Sequence, residues 1–501
     1  MGQQIAGSLS GGRNNLAAIA VLILLGWGLV YAPIILGLVL LAAITLVIGL
    51  MKPRLILYFA LFLVVADSLQ QTYYLNAPAY DHTVTISSAT LFFLLALIFW
   101  GVGRLTRLDP PSPYSNTLDL PLTIFGLSGW VSLLWSPFFY DGLTQQMVCL
   151  QGLICYFAMT RLIKTPGQVE FLCKFWFCAG IFLLAIFVMS LFIGFEPSSS
   201  YWQLLDGRIS IRAIKIPKYD GTRETITGLV SKFKHLSTLL SIAIPLTVVL
   251  LCTQKRLLTR RLLQVSILLM LILQILTFSR VDLAGLLVGW LTFVYLMPTW
   301  RPYFLRYQLY MMGFFIVAFA MAFLLLANFY ETGFTEFQIA YLGGAKYKTK
   351  GGTTTEVFGA GSADVRLDRT LLALEAVWET GGLGAGSGGI LPRTGRPDPG
   401  TAVLEVFFQH GFGLLSYILI VWVVVNMVME MRRSLHRCQD ERYQIFLRGF
   451  CWVLAAFAFM SFLDITLYWL VLALGMAAAQ AVYQDGGGLR NSNGALGRLS
   501  Q

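Results

Sequence analysis

Four arginines, Arg366, Arg369, Arg393 and Arg396, stand in one polar stretch, Ala363–Gly413, of a chain that is otherwise close to continuous hydrocarbon. Asp398 accompanies them, and Glu405 and His410 lie just inside the apolar sequence that resumes at Ala402. Lys232, Lys234 and His235 fall in SKFKHLSTLLSIAIPL, where an apolar run has already begun. Ionisable groups at that depth in a membrane chain face a cavity or a partner by default. Arg280 shares the tight corner Ser279-Arg280-Val281-Asp282 with a carboxylate. An Arg280–Asp282 ion pair is one reading of that corner, and capture of an anion by Arg280 is the other. Guanidinium groups grip phosphate oxygens in bidentate fashion, and a low-dielectric setting strengthens the contact. A substrate joining a membrane-embedded tail, a phosphate or pyrophosphate and a polar head group fits this set of residues.

Around the arginines the local pattern predicts a helix and a loop. Leu367, Leu371, Leu374 and Trp378 recur at three- and four-residue steps, with Arg366 and Arg369 three apart on one face. The glycine-rich run Gly381–Gly389 then excludes regular structure. It superficially contains GxGxGG but follows a helix instead of linking a strand to one, so it is no dinucleotide fingerprint. A mobile loop at a substrate entrance is the better reading.

The 501-residue chain is 57% hydrophobic and 12% charged, about half the charge fraction of a soluble domain. An all-α polytopic membrane protein follows, and a soluble multidomain protein is excluded. The seven cysteines fall in apolar segments or at membrane ends, with no CxxC or Cys/His metal spacing, so they read as packing residues and imply no disulfide framework. Arg13 followed by apolar sequence reads as a retained first span.

Apolar runs of membrane-spanning length predict about 12–14 transmembrane helices in a single domain, 1–501. Taken as fourteen, spans one and two occupy 14–51, span three begins at 55–65, and spans four to seven lie at about 85–103, 120–136, 144–160 and 170–194. Spans eight to eleven lie at about 228–252, 263–279, 282–298 and 309–328, and twelve to fourteen at about 402–429, 446–462 and 466–483. The tail 484–501, rich in Gly, Asn and Ser, is expected to be disordered in the cytoplasm. Lys and Arg recur in the short loops after the even-numbered spans and are missing after spans one, five and thirteen. The positive-inside rule then places both termini in the cytoplasm and the long loops 195–227 and 329–400 outside. Those outer loops are themselves basic, carrying Arg208, Arg212, Lys215, Lys218 and Arg223 in the first and Lys346, Lys348, Lys350 and the four arginines in the second. A cationic cavity at the outer membrane face is the functional expectation.

Four stretches resemble the O-antigen ligase and polymerase superfamily, bacterial membrane glycosyltransferases that act on undecaprenyl-pyrophosphate-linked glycans. GLVSKFKHLSTLLSIAIPLTVVLL is similar to the family's Gly-x-Phe-x-His-x-Asn span, through Gly228, Phe233 and His235. LTFSRVDLAGLLVG resembles its Leu-Thr-x-Ser-Arg corner, through Ser279 and Arg280. DRTLLALEAVWETGGLGAGSGG resembles its Arg-x-x-x-x-x-Ala helix ending in Gly-x-Gly-x-Gly, with Arg369 as the arginine, and LEVFFQHGFGLLSYIL its Glu-x-Gly-Leu-x-Gly span. Together they cover roughly residues 225–480; the first half matches in hydropathy alone. One departure bears on function. Family ligases carry a His-Asn pair about eleven residues before the glycine of that last span, and counting back from Gly411 gives Gly400 and Thr401.

The resemblance implies a GT-C-like fold in the bacterial inner membrane with its active site on the periplasmic side. It implies inverting, metal-independent glycosyl transfer with no cofactor. The departure moves weight from ligase to polymerase, the enzyme that joins repeat units into an O-antigen or exopolysaccharide. Transfer of the finished glycan to lipid A core is the alternative, and a lipid-linked sugar flippase is the non-enzyme alternative. Arg280 and Arg369 would hold the pyrophosphate, with Arg366, Arg208, Arg212, Lys234 and His235 as secondary substrate contacts. Glu405 would be the catalytic base or a salt-bridge partner of an arginine. Partners would be the glycan donor and acceptor, membrane lipid, a chain-length regulator and a flippase, with no nucleic acid.

Overall fold

The computed structural model describes residues 47–49, 51–67, 88–106, 116–136, 139–193, 234–276, 280–297, 302, 304–329, 346–348, 354–356, 378, 414–461 and 468–496. Among them are twelve α-helices: α1 Pro53–Asp67, α2 Ser88–Thr106, α3 Asp119–Ser132, α4 Phe139–Leu162, α5 Pro166–Ile193, α6 Lys234–Thr253, α7 Leu257–Leu276, α8 Arg280–Leu296, α9 Phe304–Phe329, α10 Leu414–Arg437, α11 Glu441–Ser461 and α12 Tyr468–Leu496. Six of these helices are long and apolar enough to cross a membrane, and six more are shorter apolar helices. The chain is a polytopic helical membrane protein, as its hydropathy predicts. A small antiparallel ladder, β1 Lys346–Lys348 against β2 Thr354–Glu356, lies in the long loop and was not expected from the sequence. Of the helix predicted around Leu367–Trp378, only Trp378 is described; it is helical and exposed.

Local signals set the helix ends. Thr165-Pro166-Gly167-Gln168 opens α5 with proline at the first helical position, where its missing N–H costs nothing. The Gln168 Oε1 reaches back to accept from the backbone N–H of Thr165 at 3.1 Å and of Lys164 at 2.7 Å, half of a capping box. Asp440 opens α11 in a similar way, its Oδ1 accepting from the Arg442 N–H at 2.8 Å. Helix α12 departs from expectation: it continues past Tyr483 through Gly486–Gly488 to Leu496, where an unstructured tail from 484 was predicted. No proline interrupts that segment, so the backbone hydrogen-bond ladder of the preceding span can propagate through it.

Helix α6 is the centre of the molecule. Of its apolar window, 78% is buried inside the protein, against 28–56% for the other five long spans. It packs on α5, α7, α8 and α11, while α12 joins α11 to α4 and α10, and the α1–α2 pair attaches through α4. Helix α9 sits at the edge against α7, with Ala318 and Ala322 as its buried contacts.

Among the described residues the most extensive helix contact is that of α8 with α11, and small residues let the two backbones approach. Gly285 and Gly289 lie one turn apart on α8; a Cβ at Gly289 would stand 2.5 Å from the Trp452 carbonyl oxygen and 2.1 Å from its ring. Trp452 donates its indole N–H to the Leu286 carbonyl at 3.0 Å, and its ring meets Trp290 and Phe293 at 5.2 and 5.4 Å. Gly289→Ala therefore forces a backbone shift and should cost about 1–3 kcal/mol, typical of overpacked cores. The measurement is thermal unfolding of the purified protein by fluorescence-detected size exclusion. Gly313→Ala, where a Cβ meets nothing within 4 Å, is the control and should melt like the parent.

Candidate functional site

Helices α6, α7 and α8 run up, down and up, joined by the short connections 254–256 and 277–279. The start of α6, the end of α7 and the start of α8 therefore meet at one end of the molecule. Lys234 is the first residue of α6, with His235 next, and Arg280 is the first of α8. Residues separated by more than forty positions in sequence are brought to one layer.

A buried polar network fastens that layer. Ser237, one turn into α6, donates its hydroxyl to Asp282 Oδ2 in the first turn of α8. Gln274, near the end of α7, donates from Nε2 to Ser237 Oγ at 2.7 Å. Ser237, Gln274 and Asp282 are 1%, 0% and 9% exposed, so the polar groups have left water. Burying a carboxylate is costly unless it is hydrogen-bonded, and the charge-assisted bond from Ser237 offsets that cost. The position also helps: a carboxylate in a helix's first turn lies against the positive end of the helix dipole.

Residues two apart on a helix leave it in different directions. Asp282 is directed into the helix interface, towards Ser237. Arg280 sits at the same helix end, two positions earlier, on the backbone that carries this inward-turned carboxylate. Lys234, His235 and Arg280 are placed by backbone position. Glu405, Arg369, Arg366, Arg208 and Arg212 lie outside the described residues.

The other end of the molecule is held by a second, larger network. Arg161 pairs with Asp119; Tyr156 donates to Asp119 Oδ1 at 3.0 Å and accepts from Asn116 Nδ2 at 2.8 Å. Thr117 donates to Glu430 Oε2 at 3.0 Å, and Arg433 approaches the same carboxylate at 3.9 Å. Arg442 bonds Glu170 at 2.9 Å, and Arg448 reaches Met297 Sδ at 3.4 Å. Met297 follows the end of α8, so this network gathers at the opposite end from Arg280. The residues it joins come from loops that the charge pattern puts on one side, whereas the Ser237–Gln274–Asp282 group joins ends that the pattern puts on the other.

Sequence reasoning passed over Ser237, Gln274, Thr117, Tyr156 and Glu430. Each is a single polar residue inside or beside an apolar run, and only its isolation there signals a buried partner. The cysteines are all free, and Cys149, Cys155, Cys173 and Cys438 are buried. Comparison of the chain with protein-family models and with curated proteins finds no match.

Proposed function

We propose that the protein is a membrane glycosyltransferase that polymerises polyprenyl-pyrophosphate-linked oligosaccharide repeat units into a surface polysaccharide. In this reading the fold is of the GT-C type, in the bacterial inner membrane, with the site at the periplasmic end. The observation that carries it is the meeting of the α6 and α8 starts. Lys234, His235 and Arg280 stand in one layer at the starts of their helices, beside a network that fixes the two helices against each other. The four stretches that resemble the O-antigen ligase and polymerase superfamily supply the substrate class.

The chemistry is an inverting displacement. The acceptor hydroxyl oxygen attacks the anomeric carbon of the donor chain. The bond from that carbon to the pyrophosphate oxygen breaks, and the lipid pyrophosphate departs with the electron pair. Arg280 and Arg369 bind the pyrophosphate, whose negative charge grows as the bond breaks. Cations placed there stabilise the transition state more than the ground state, which is what raises turnover. Glu405 takes the acceptor proton or holds an arginine in place.

Glycan length in a deletion strain tests the reading. A polymerase is expected to leave single repeat units on the carrier lipid. Long chains on the carrier that never reach an acceptor would identify the ligase instead. The departure at Gly400 and Thr401 favours the first outcome.

A further inference from the structure

At the end of the molecule opposite Arg280, four cations follow one another closely along the chain. Lys255 and Arg256 end the connection from α6, and Arg260 and Arg261 lie at the beginning of α7. All four are exposed. The Arg260 N–H bonds the Arg256 carbonyl at 3.0 Å, which fixes the turn that carries them. No Asp or Glu occurs between Glu224 and Asp282, so the chain supplies no local counter-charge. Among the described residues none of the four makes an ion pair or a side-chain hydrogen bond. Arg256 and Arg260 are four apart, a spacing at which like charges repel.

A second feature points to what they hold. Leu258, Leu262, Val265 and Leu269 form an exposed apolar line along α7 at three- and four-residue steps. Arg261 stands in that line, three residues after Leu258 and four before Val265. Leu263, Ile267 and Met270 are buried and occupy the other side of the helix. Leu258 is 73% exposed and Leu262 59%, so the line is open where the cations gather. Apolar surface that runs along a span and meets cations on its own face matches a phospholipid: an acyl chain on the line, a phosphate at the cations. An acidic peptide would match the charges and leave the leucines unmatched. Arginine lays its apolar stem against hydrocarbon while its guanidinium reaches the polar layer, and its planar fork grips phosphate oxygens. An anion among the four cations sets attraction against their mutual repulsion.

We propose that Arg260 and Arg261 dock the phosphate of an anionic phospholipid whose acyl chain lies along Leu258, Leu262, Val265 and Leu269. Lys255 and Arg256 add to the field around it. The surface is independent of the glycan reading. It lies at the end that the charge pattern puts in the cytoplasm, where basic clusters beside spans recruit anionic lipid.

Titration of the purified full-length protein with phosphatidylglycerol, read by native mass spectrometry, tests it. Phosphatidylcholine and inorganic phosphate serve as the comparison probes. The parent protein should retain phosphatidylglycerol in preference to phosphatidylcholine. Arg260→Gln/Arg261→Gln should bind it roughly 30-fold more weakly, from two lost surface-charge contributions. Leu258→Ser/Leu262→Ser keeps every charge and should weaken binding by a smaller factor; it carries the test if the arginine variant does not fold. Lys52→Gln/Arg54→Gln removes the same charge from exposed positions beside α1 and should bind like the parent. Unchanged affinity in either folded α7 variant overturns the proposal, and so does equal retention of phosphatidylcholine. Equal weakening in the α1 variant would show a diffuse effect of net charge and overturn it too. Inorganic phosphate competing at the lipid's own affinity would identify a free-anion site, with the same consequence.

Discussion

Arg280→Ala should abolish polymer formation while the protein still inserts and folds. The residue begins α8, and that helix start is held by the buried bonds of Ser237 with Asp282 and Gln274, which the substitution leaves in place. Stability is therefore expected to survive and turnover is not. Removing one preorganised donor from a developing charge typically costs roughly 10²–10³-fold in turnover. Arg280→Lys should recover part of this, because a lysine keeps the charge but lacks the planar fork that grips two oxygens. The assay is polymerisation of carrier-linked repeat units in proteoliposomes, read as glycan length, with melting temperature measured in parallel. Full activity with normal expression would end the role assigned to Arg280. The same loss from Asp282→Asn, accompanied by a large drop in melting temperature, would show only that the helix corner needs its anchor. The discriminating result is an active-site loss at Arg280 without that drop.

The helices were legible in the sequence because one physical quantity dominates them. A span must be apolar over its membrane length, and hydropathy reads that directly. The ends were less legible, for a reason visible at particular residues. Arg260 and Arg261 mark a boundary in charge, yet both lie inside α7, which begins at Leu257. Arg432, Arg433 and Arg437 likewise lie inside α10, whose helix reaches Arg437 where a span ending near 429 was expected. Charge marks where hydrocarbon stops; backbone hydrogen bonding continues into the polar layer until a cap or proline ends it. Helix α4 starts at Phe139 for the same reason, five residues before its predicted span.

The networks were the illegible part. Glu430 meets Thr117 across 313 positions, and Ser237 meets Asp282 across 45. No local pattern connects such pairs, since the contact exists only once the helices pack. What the sequence does carry is each polar residue's isolation within an apolar run, and Gln274 in LLMLILQIL is an instance. Asp282 in the arginine corner makes the same point: its bond to Ser237 on another helix has no trace in the four residues Ser279–Asp282 themselves.

Glu405→Gln should separate a base from a bridge. The substitution keeps the side chain's shape and removes its charge. A positioned general base contributes typically 10²–10⁴-fold. An exposed ion pair is worth at most about 1 kcal/mol, roughly fivefold. If Glu405 takes the acceptor proton, turnover collapses and donor affinity changes little, because the donor's pyrophosphate is held by arginines that remain. If Glu405 instead holds one of those arginines, donor binding weakens by a few-fold and bound donor still reacts at close to the parent rate. Turnover measured at saturating donor, beside a donor titration, distinguishes the two. A variant that matches the parent in both would exclude either role. Catalysis would then rest on departure of the pyrophosphate under the arginine field, with the acceptor proton passing to solvent.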